Sequence, residues 1–402
     1  MTSGPVRVAQ KATPAGLRER NTRLVLQSVL SGAGDVSRAD IARSVGLARA
    51  VVSEIVQDLV ARRLVVEGAG RPQGRGKPAT PLRVDTEHPC LLMVEVTPGG
   101  VRGGAGGLDG TIDATARASL PADPTVEQVV GALAPLLAGL ADRDGREVLA
   151  VGVAVPGIVS PDGRVTEALQ LGWEDVDLAG PLSAALGQEV VLVNDATAVA
   201  LSEVSHQGAP GAGVVVLHVD TGVGSAALLD GRVHLGDRQR AGEVGHIDLG
   251  VSDRLCSCGR RGCLETVAGL PAVLEGLPLE RLDDVAALGP GPAPAELRAL
   301  AARVGRAAEG LAALICAQVA ILDVADVVID GPVRRAGPRL LDTVEAELAR
   351  RLPPSDVRRP RYSALGERAV MHGAGAAAML HALGVMWLQG PADGPPAGTA
   401  AH

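Results

Sequence analysis

The chain has 402 residues but no phenylalanine, one tyrosine and two tryptophans. So few aromatic side chains argue against a base-stacking platform for single-stranded nucleic acid. Because aromatic residues are scarce, the hydrophobic cores must be built from Ala, Val, Leu and Ile. Lysine is almost absent as well, since only Lys11 and Lys77 occur among 38 basic residues. No run of about 18 apolar residues occurs, so the sequence predicts no membrane span. The most apolar stretch, residues 311–322, is expected to be a buried helix.

Cysteine is scarce, with five in the chain, and three of these lie between residues 256 and 263. This clustering favours a metal site in a reducing compartment over a disulfide framework. The N-terminus lacks the charged and then apolar pattern of a secretory signal. We therefore expect a cytoplasmic protein without a membrane partner.

Charge is distributed unevenly along the chain. Residues 1–84 hold 14 Lys and Arg against 6 Asp and Glu, whereas the remainder holds 24 against 40. The net charge of −8 therefore combines a basic head of +8 with an acidic body of −16. This asymmetry predicts a nucleic-acid partner for the head alone.

The head, residues 1–84, has the pattern of a winged helix-turn-helix domain. Apolar residues recur at helical spacing, and a capping-box sequence at Ser37 and Asp40 precedes a short helix that stops at Gly46. Strand-like segments then flank a basic Gly/Pro loop, which is the plan of a wing. The predicted elements are helices over residues 17–30 and 48–63, the short helix between them, and strands over 64–67 and 81–84.

Two sets of side chains in the head are candidates for DNA contact. The outer face of the last helix offers side chains to a major groove, and the basic residues of the wing can neutralise phosphates. The alternative is that the three helices form only a packing or dimerisation module. The groove candidates are Arg49, Ser53 and Gln57, and the wing candidates are Arg71, Arg75 and Lys77.

The body, residues 85–390, alternates strands and helices over about 300 residues, which predicts an α/β architecture with two lobes around a cleft. Residues 391–402, rich in Pro, Gly and Ala, are expected to be a loose tail. The predicted strands are 90–96, 148–155, 190–193, 214–219 and 324–329, and the predicted helices cover 126–140, 196–204 and much of 295–322.

A cluster of potential metal ligands is the strongest chemical signal in the body. Three thiolates and one imidazole satisfy a tetrahedral zinc ion with no open position, which is typical of a structural site. Gly259 and Gly262 permit the tight turn that such a cluster needs. We expect one structural zinc ion per chain; the alternative is three buried cysteines without a metal. The predicted ligands are His246, Cys256, Cys258 and Cys263.

Polar residues also follow an apolar strand of the body. Asn194 and Asp195 come directly after residues 190–193, at the carboxyl end where open α/β sheets place ligand groups. Gly242-Glu-Val-Gly-His246 similarly offers a carboxylate bounded by glycines and an imidazole next to one. Taken alone, an Asn-Asp pair is more often a turn or a helix cap.

These residues together resemble the ROK family, which groups sugar kinases with sugar-responsive transcriptional repressors. The match extends from about residue 17 to residue 384, and the basic head is similar to that of the repressor branch. The motifs that carry it are Val153-Ala-Val-Pro-Gly157, Leu171-Gly-Trp173, Asn194-Asp195, Asp220-Thr-Gly-Val-Gly224, Gly242-Glu-Val-Gly-His246 and the segment from Cys256 to Glu265.

The resemblance implies a fold like that of actin and hexokinase, with a sugar in the cleft. By this resemblance, the sugar-binding residues are Asn194, Asp195, Glu243, His246 and Glu265. Asp195 stands where the family kinases have their general base. His246 would bind zinc through one ring nitrogen and offer the other to the sugar. Gln170 departs from the family pattern, which has Asn there, and this puts the identity of the sugar in doubt.

The phosphate-binding motifs of the kinases are altered in this sequence. The first phosphate loop carries Glu95, Thr97 and Pro98 in place of Asp, Gly and a residue with an N–H group, and the loop on the adenosine side has Asp330 and Pro332. Proline has no N–H to donate to a phosphate, and a carboxylate repels one. We therefore predict negligible kinase activity and no catalytic residues.

The favoured hypothesis is a sugar-responsive DNA-binding regulator, more specifically a repressor, that acts as a homodimer or homotetramer on a double-stranded operator. One alternative is an ATP-dependent hexose kinase with an accessory head. Another is a body that only dimerises the heads around a vestigial sugar site. A transport-system protein that docks on the body, as among repressors of the family, is a further partner to consider.

Overall fold

The structure is a computed structural model. It describes residues 13–32, 34, 36–69, 79–142, 145–207, 213–324, 326–354 and 359–387.

The described part of the head is three helices packed on a small antiparallel sheet. The capping box is present, because Ser37 Oγ accepts from Asp40 N at 3.3 Å while Asp40 Oδ2 accepts from Ser37 N at 3.1 Å. Gly46 ends the second helix with φ of 70°, where only glycine is unstrained. The elements are α1 (Pro14–Ser31), β1 (Val36–Ser37), α2 (Arg38–Val45), α3 (Arg49–Ala61), β2 (Val65–Glu67) and β3 (Pro81–Val84), with sheet order β1-β3-β2.

The predicted head helices are confirmed, but their buried faces are narrower than the sequence pattern indicates. Leu17, Leu24, Val51 and Val60 belong to the apolar pattern that predicts these helices, but all four are exposed by 36–46%. In a domain this small, each helix packs against its neighbours along only one narrow stripe of its surface. The apolar residues that flank this stripe therefore stay exposed. The core of the head comprises Val25, Leu26, Val29, Ile41, Ala42, Val52, Ile55, Val56, Leu59, Leu64, Val65 and Leu82.

The first lobe of the body is built on a mixed five-stranded sheet in the order β11-β7-β4-β5-β6, with a small sheet β10-β9-β8 beside it. Strands β4, β7 and β11 run parallel, whereas β5 and β6 form antiparallel hairpins. Its elements are β4 (Pro89–Thr97), β5 (Gly100–Gly106), β6 (Ile112–Ser119), α4 (Val126–Asp142), β7 (Glu147–Val155), β8 (Ile158–Val159), β9 (Arg164–Ala168), β10 (Trp173–Asp177), α5 (Ala179–Leu186), β11 (Val190–Asn194) and α6 (Asp195–Gln207).

The second lobe repeats this plan with a five-stranded sheet in the order β14-β13-β12-β15-β16. Strands β12, β15 and β16 are parallel, and the predicted strand 214–219 is found with those bounds. Its elements are β12 (Val214–Val219), β13 (Val223–Leu229), β14 (Arg232–Val233), α7 (Glu265–Ala268), α8 (Leu270–Leu274), α9 (Arg281–Ala286), α10 (Ala295–Leu322), β15 (Asp326–Asp330), α11 (Pro338–Arg351) and β16 (Arg361–Tyr362). The last helix, α12 (Ala369–Leu383), returns to pack on β4, β7 and β11 of the first lobe.

Helix α10 is long and apolar enough to cross a membrane by length and composition alone, and half of its most apolar window is buried inside the protein. Leu311, Leu314, Ile315 and Val319 belong to the core of the second lobe. This placement agrees with the buried helix predicted for the region.

Helices α6 and α12 pack directly against each other. A Cβ atom on Gly373 would lie only 1.7 Å from the carbonyl oxygen of Ala198, so the two helices touch backbone to backbone. Any side chain at residue 373 would separate them. Because α6 begins at Asp195, this contact lies behind the polar residues that follow β11.

Candidate functional site

The five residues predicted to bind a sugar line one cavity, named here the polar cavity, of about 60 Å³. Asn194 ends β11 and Asp195 begins α6. Glu243 precedes a 3₁₀ turn that ends at His246, and Glu265 begins α7. Residues far apart in sequence therefore meet where the two lobes face each other.

Asn194 and Asp195 are held in place by backbone groups. The Asn194 amide donates to the Gly157 carbonyl at 2.9 Å and accepts from Thr197 N at 3.0 Å. The Asp195 carboxylate accepts from Ala196 N at 2.7 Å. Burial raises the pKa of Asp195 above its usual value, although the nearby His218 partly opposes this effect. The result is a fixed carboxyl group that lines the polar cavity.

Glu243 approaches the cavity from the second lobe. Its backbone is set by Gly242, whose φ is 106° and whose Cβ, if it had one, would lie 2.0 Å from the Ser225 carbonyl oxygen. Only glycine fits there. Burial raises the pKa of Glu243, with His246 and Arg240 acting in the opposite direction.

Gln170, the residue that departs from the family pattern, also lines the polar cavity. Its side chain lies against the loop of the second lobe: a Cβ atom on Gly222 would be 2.6 Å from Gln170 Nε2 and 3.3 Å from Glu265 Oε2. Gln170 and Glu265 therefore flank Gly222 from two sides, and the longer amide narrows the cavity.

A buried charged group beside the polar cavity was not predicted from the sequence. His218, on β12, bonds through Nδ1 to Asp330 Oδ2 of the neighbouring β15 at 3.0 Å. Burial lowers the pKa of His218, but Asp330, Asp195 and Asp220 outweigh it and raise that pKa to about 10. The only sequence signal was a histidine within the apolar run of β12.

A second, larger cavity adjoins the first, and it is named here the acidic cavity. Its volume is about 580 Å³, and Glu95, His218 and Asp220 line both cavities. Asp330 is 2% exposed, and its Oδ1 atom has no hydrogen-bond partner among the described residues. Burial raises the pKa of Glu95, although Arg102 opposes it. Glu95 and Asp220 thus supply carboxyl groups to the wall shared by the two cavities, whereas Arg102, Arg117, Arg334 and Arg335 also line the larger one.

The four predicted metal ligands come together in one cluster. Their ligand atoms all lie within 4.8 Å of one another. Cys258 Sγ is 3.6 Å from Cys263 Sγ, and Cys256 Sγ is 3.5 Å from His246 Nδ1. Two thiolates on a tetrahedral zinc ion stand about 3.8 Å apart, from a Zn–S distance of about 2.3 Å. The spacing and the donor set fit zinc.

Short backbone contacts shape the cluster. The predicted turn is present, with Gly259 at φ of 83° and Gly262 at φ of 82°, and Cys256 N donates to the Arg260 carbonyl at 2.8 Å. Glu265 Oε1 lies 2.9 Å from Cys256 Sγ. The cluster therefore adjoins the polar cavity through both His246 and Glu265.

The predicted DNA-contact residues fall into two groups. Arg49 and Gln57 are exposed on α3 and Ser53 is half-buried, so the outer face of this helix is accessible. Arg71, Arg75 and Lys77 lie outside the described residues, as does the predicted tail over 391–402.

Two lobes, each with a five-stranded sheet facing a central cleft, define a protein of actin- and hexokinase-like architecture. Residues 99–382 match the ROK family. The chain belongs to the ROK family.

Relatives of the chain include both repressors and kinases. The xylose repressor of Caldicellulosiruptor bescii is 29% identical over 265 residues, which span 64% of this chain and 66% of that protein. The match thus covers slightly less than two thirds of that relative. The glucokinase of Streptomyces coelicolor is 30% identical over 208 residues, 50% of this chain and 65% of that protein.

One solved structure resembles nearly the whole chain. It is a ROK family transcriptional regulator, a homologue of the E. coli MLC protein, with a TM-score of 0.72 and 22% identity over 91% of this chain and 96% of that one. At 22% identity, the similarity between the two structures establishes the fold alone.

Proposed function

We propose that this protein is a sugar-responsive transcriptional repressor. The single observation that supports this most is the combination of an accessible basic three-helix head with a ROK body whose polar cavity gathers Asn194, Asp195, Glu243, His246 and Glu265. The xylose repressors among its relatives make a pentose the first effector to test.

The head, residues 1–84, serves as a winged helix-turn-helix domain in this proposal. α3 enters the major groove with Arg49, Ser53 and Gln57, and Arg71, Arg75 and Lys77 contact phosphates from the wing. The exposed outer face of α3 supports this role. The partner is a double-stranded operator, bound by a homodimer or homotetramer in the cytoplasm.

The body, residues 85–390, binds sugar but does not phosphorylate it. Phosphoryl transfer needs donors and cations around the phosphates, whereas Glu95, Asp220 and Asp330 line the acidic cavity and Pro98 and Pro332 lack N–H groups. Arg102, Arg117, Arg334 and Arg335 line the same cavity, so the missing N–H donors at Pro98 and Pro332, rather than net charge, disfavour a nucleotide triphosphate. Asp195 then acts as a ligand for sugar hydroxyls.

One zinc ion per chain, held by His246, Cys256, Cys258 and Cys263, serves a structural role. When bound, it supplies a fixed crosslink between the 3₁₀ turn and α7. His246 and Glu265 line the polar cavity, so the crosslink orients both of them toward a sugar.

A gel shift with duplex DNA from upstream of the protein's own gene tests the repressor function. We expect binding at low salt that weakens when the effector is present, with xylose, glucose and N-acetylmannosamine as the first sugars. Absence of binding at low salt, with or without sugars, would refute the proposal.

A coupled ADP-release assay over a panel of hexoses tests the alternative, an ATP-dependent kinase. Turnover that Asp195→Asn abolishes would establish that alternative. Calorimetry separates sensing from a vestigial site, because saturable sugar binding that Glu243→Ala removes requires a functional polar cavity.

A further inference from the structure

The segment Gly384–Trp387, named here the strap, joins the body to the head. Gly384 ends α12 with φ of 67°, which turns the chain out of the helix. The next three residues run between the first lobe and α1 of the head. Each end of this segment makes specific contacts.

Trp387 fixes the strap to the body. It is 2% exposed, its indole Nε1 donates to the Leu108 carbonyl at 2.6 Å, and its ring packs in a tilted arrangement against His372 of α12 with centroids 4.6 Å apart. Leu108 lies between β5 and β6 of the first lobe. The strap therefore moves with α12 and the first lobe.

Met386 fixes the strap to the head. The side-chain amide of Gln27, on α1, donates to the Met386 carbonyl at 2.9 Å and accepts from the Met386 N–H at 3.2 Å. The Gln27 amide thus bonds to both the N–H and the carbonyl group of Met386, as one strand does to a residue of its neighbour. Arg23 packs beside this contact, because a Cβ atom on Gly384 would lie 2.3 Å from its Nε.

The opposite end of this connection is the polar cavity. α6 begins at Asp195, and its Ala198 touches Gly373 of α12 backbone to backbone. Such a contact has no compressible side chains between the helices, so a shift of α6 displaces α12 as well. Asp195, α6, α12, the strap and Gln27 thus form one continuous packed series.

We infer that the strap is the coupling element through which an occupied polar cavity repositions the head, by way of the paired hydrogen bonds between Gln27 and Met386. This inference rests on the proposed function. Binding of a sugar changes the position of α6, α12 carries the strap, and the strap moves α1. The ligand must favour one strap position over the other, because coupling requires differential affinity for the two states.

The test measures DNA affinity with and without sugar in two matched variants. Gln27→Ala removes both hydrogen bonds to the strap. Ser28→Ala, one residue along α1, removes a hydroxyl that, within the described residues, donates to the Leu24 carbonyl of the same helix. Fluorescence anisotropy with the upstream duplex gives the operator affinity, and calorimetry with xylose gives the sugar affinity.

In the wild type and Ser28→Ala, we expect the sugar to weaken operator binding by about 5- to 150-fold, the usual range of allosteric coupling. In Gln27→Ala, we expect that factor to fall below about twofold while xylose affinity stays within about threefold of wild type. A full sugar response in Gln27→Ala would overturn the inference.

Hydrogen exchange keeps the test decisive if Gln27→Ala binds DNA poorly. In the wild type, xylose should change the hydrogen-exchange rates of residues 14–31, and in Gln27→Ala it should not. If xylose changes these rates in Gln27→Ala as it does in the wild type, the inference is overturned. If xylose, glucose and N-acetylmannosamine leave operator binding of the wild type unaltered, the proposed function fails instead, so the two failures are distinct.

Discussion

Lowering the pH from 7 to 5 is expected to destabilise the protein through one buried histidine. His372, on α12, is 7% exposed and its Nδ1 has no hydrogen-bond partner among the described residues. Burial, with a smaller contribution from His206, lowers the pKa of His372 from 6.5 to about 4. The unfolded chain therefore binds this proton before the folded chain does as the pH falls.

The sign and size follow from this difference in pKa. The contribution of neutral His372 to stability is complete above about pH 6.5 and is lost as the pH falls toward about 4. Between pH 7 and pH 5 the linkage amounts to about 2 kcal/mol. His218, whose pKa is raised to about 10, and Glu95, Asp195, Asp220 and Glu243, whose pKa values are also raised, bind protons in the folded state first and partly offset this loss as the pH falls.

The assay is urea unfolding at pH 7 and at pH 5 in three proteins: the wild type, His372→Leu and His234→Leu. His234 is exposed, so its replacement should leave the pH dependence unchanged. His372→Leu should remove about 2 kcal/mol of the difference between the two pH values. If His372→Leu and the wild type lose the same free energy on acidification, the reasoning is wrong.

Three further predictions concern the site and the head. Cys258→Ser should lower the zinc content from about one ion per chain and weaken xylose binding by about tenfold or more. Cys316→Ser, outside the cluster, should change neither quantity. Elemental analysis measures the zinc and calorimetry the sugar affinity, and full zinc content in Cys258→Ser would count against the site. Gly222→Ala should push the flexible Gln170 amide aside, because its Cβ would meet Gln170 Nε2 at 2.6 Å, and should weaken sugar binding by about two- to fivefold. Adding Gln170→Ala should restore the affinity in calorimetry, and a double variant no better than Gly222→Ala would contradict the geometry. Arg49→Ala should weaken operator binding by about 1–3 kcal/mol in anisotropy, and an unchanged affinity would exclude Arg49 from the contact.

Much of the fold was predictable because apolar periodicity records burial. β12 is buried throughout, and its apolar run, broken only by His218, indicates its bounds directly. β5 was not predicted, because its sequence contains four glycines and little apolar pattern. These glycines make room for neighbours instead: a Cβ atom on Gly103 would lie 2.4 Å from Leu136 Cδ2, and one on Gly104 would lie 3.0 Å from Met371 Sδ.

The candidate site was predictable only in part. The cysteine cluster was visible because its ligands lie close together in the sequence. The pairing of His218 with Asp330 was not, because the two residues are 112 positions apart and meet only through the parallel register of β12 and β15. Gln27 and Met386 lie 359 positions apart, and no local pattern in either segment indicates the contact.

The two tryptophans of the chain lie in different regions, one near the polar cavity and one at the junction with the head. Trp173 is buried in the first lobe, where its indole donates to the Pro124 carbonyl at 2.6 Å, two residues beyond the 3₁₀ turn that carries Gln170. Trp387 lies beside the head. Replacing either one with phenylalanine leaves a single native fluorophore, so the protein carries its own optical reporters, one for the cleft and one for the junction with the head. Their relative timing after rapid mixing with sugar would reveal in which order the two regions respond.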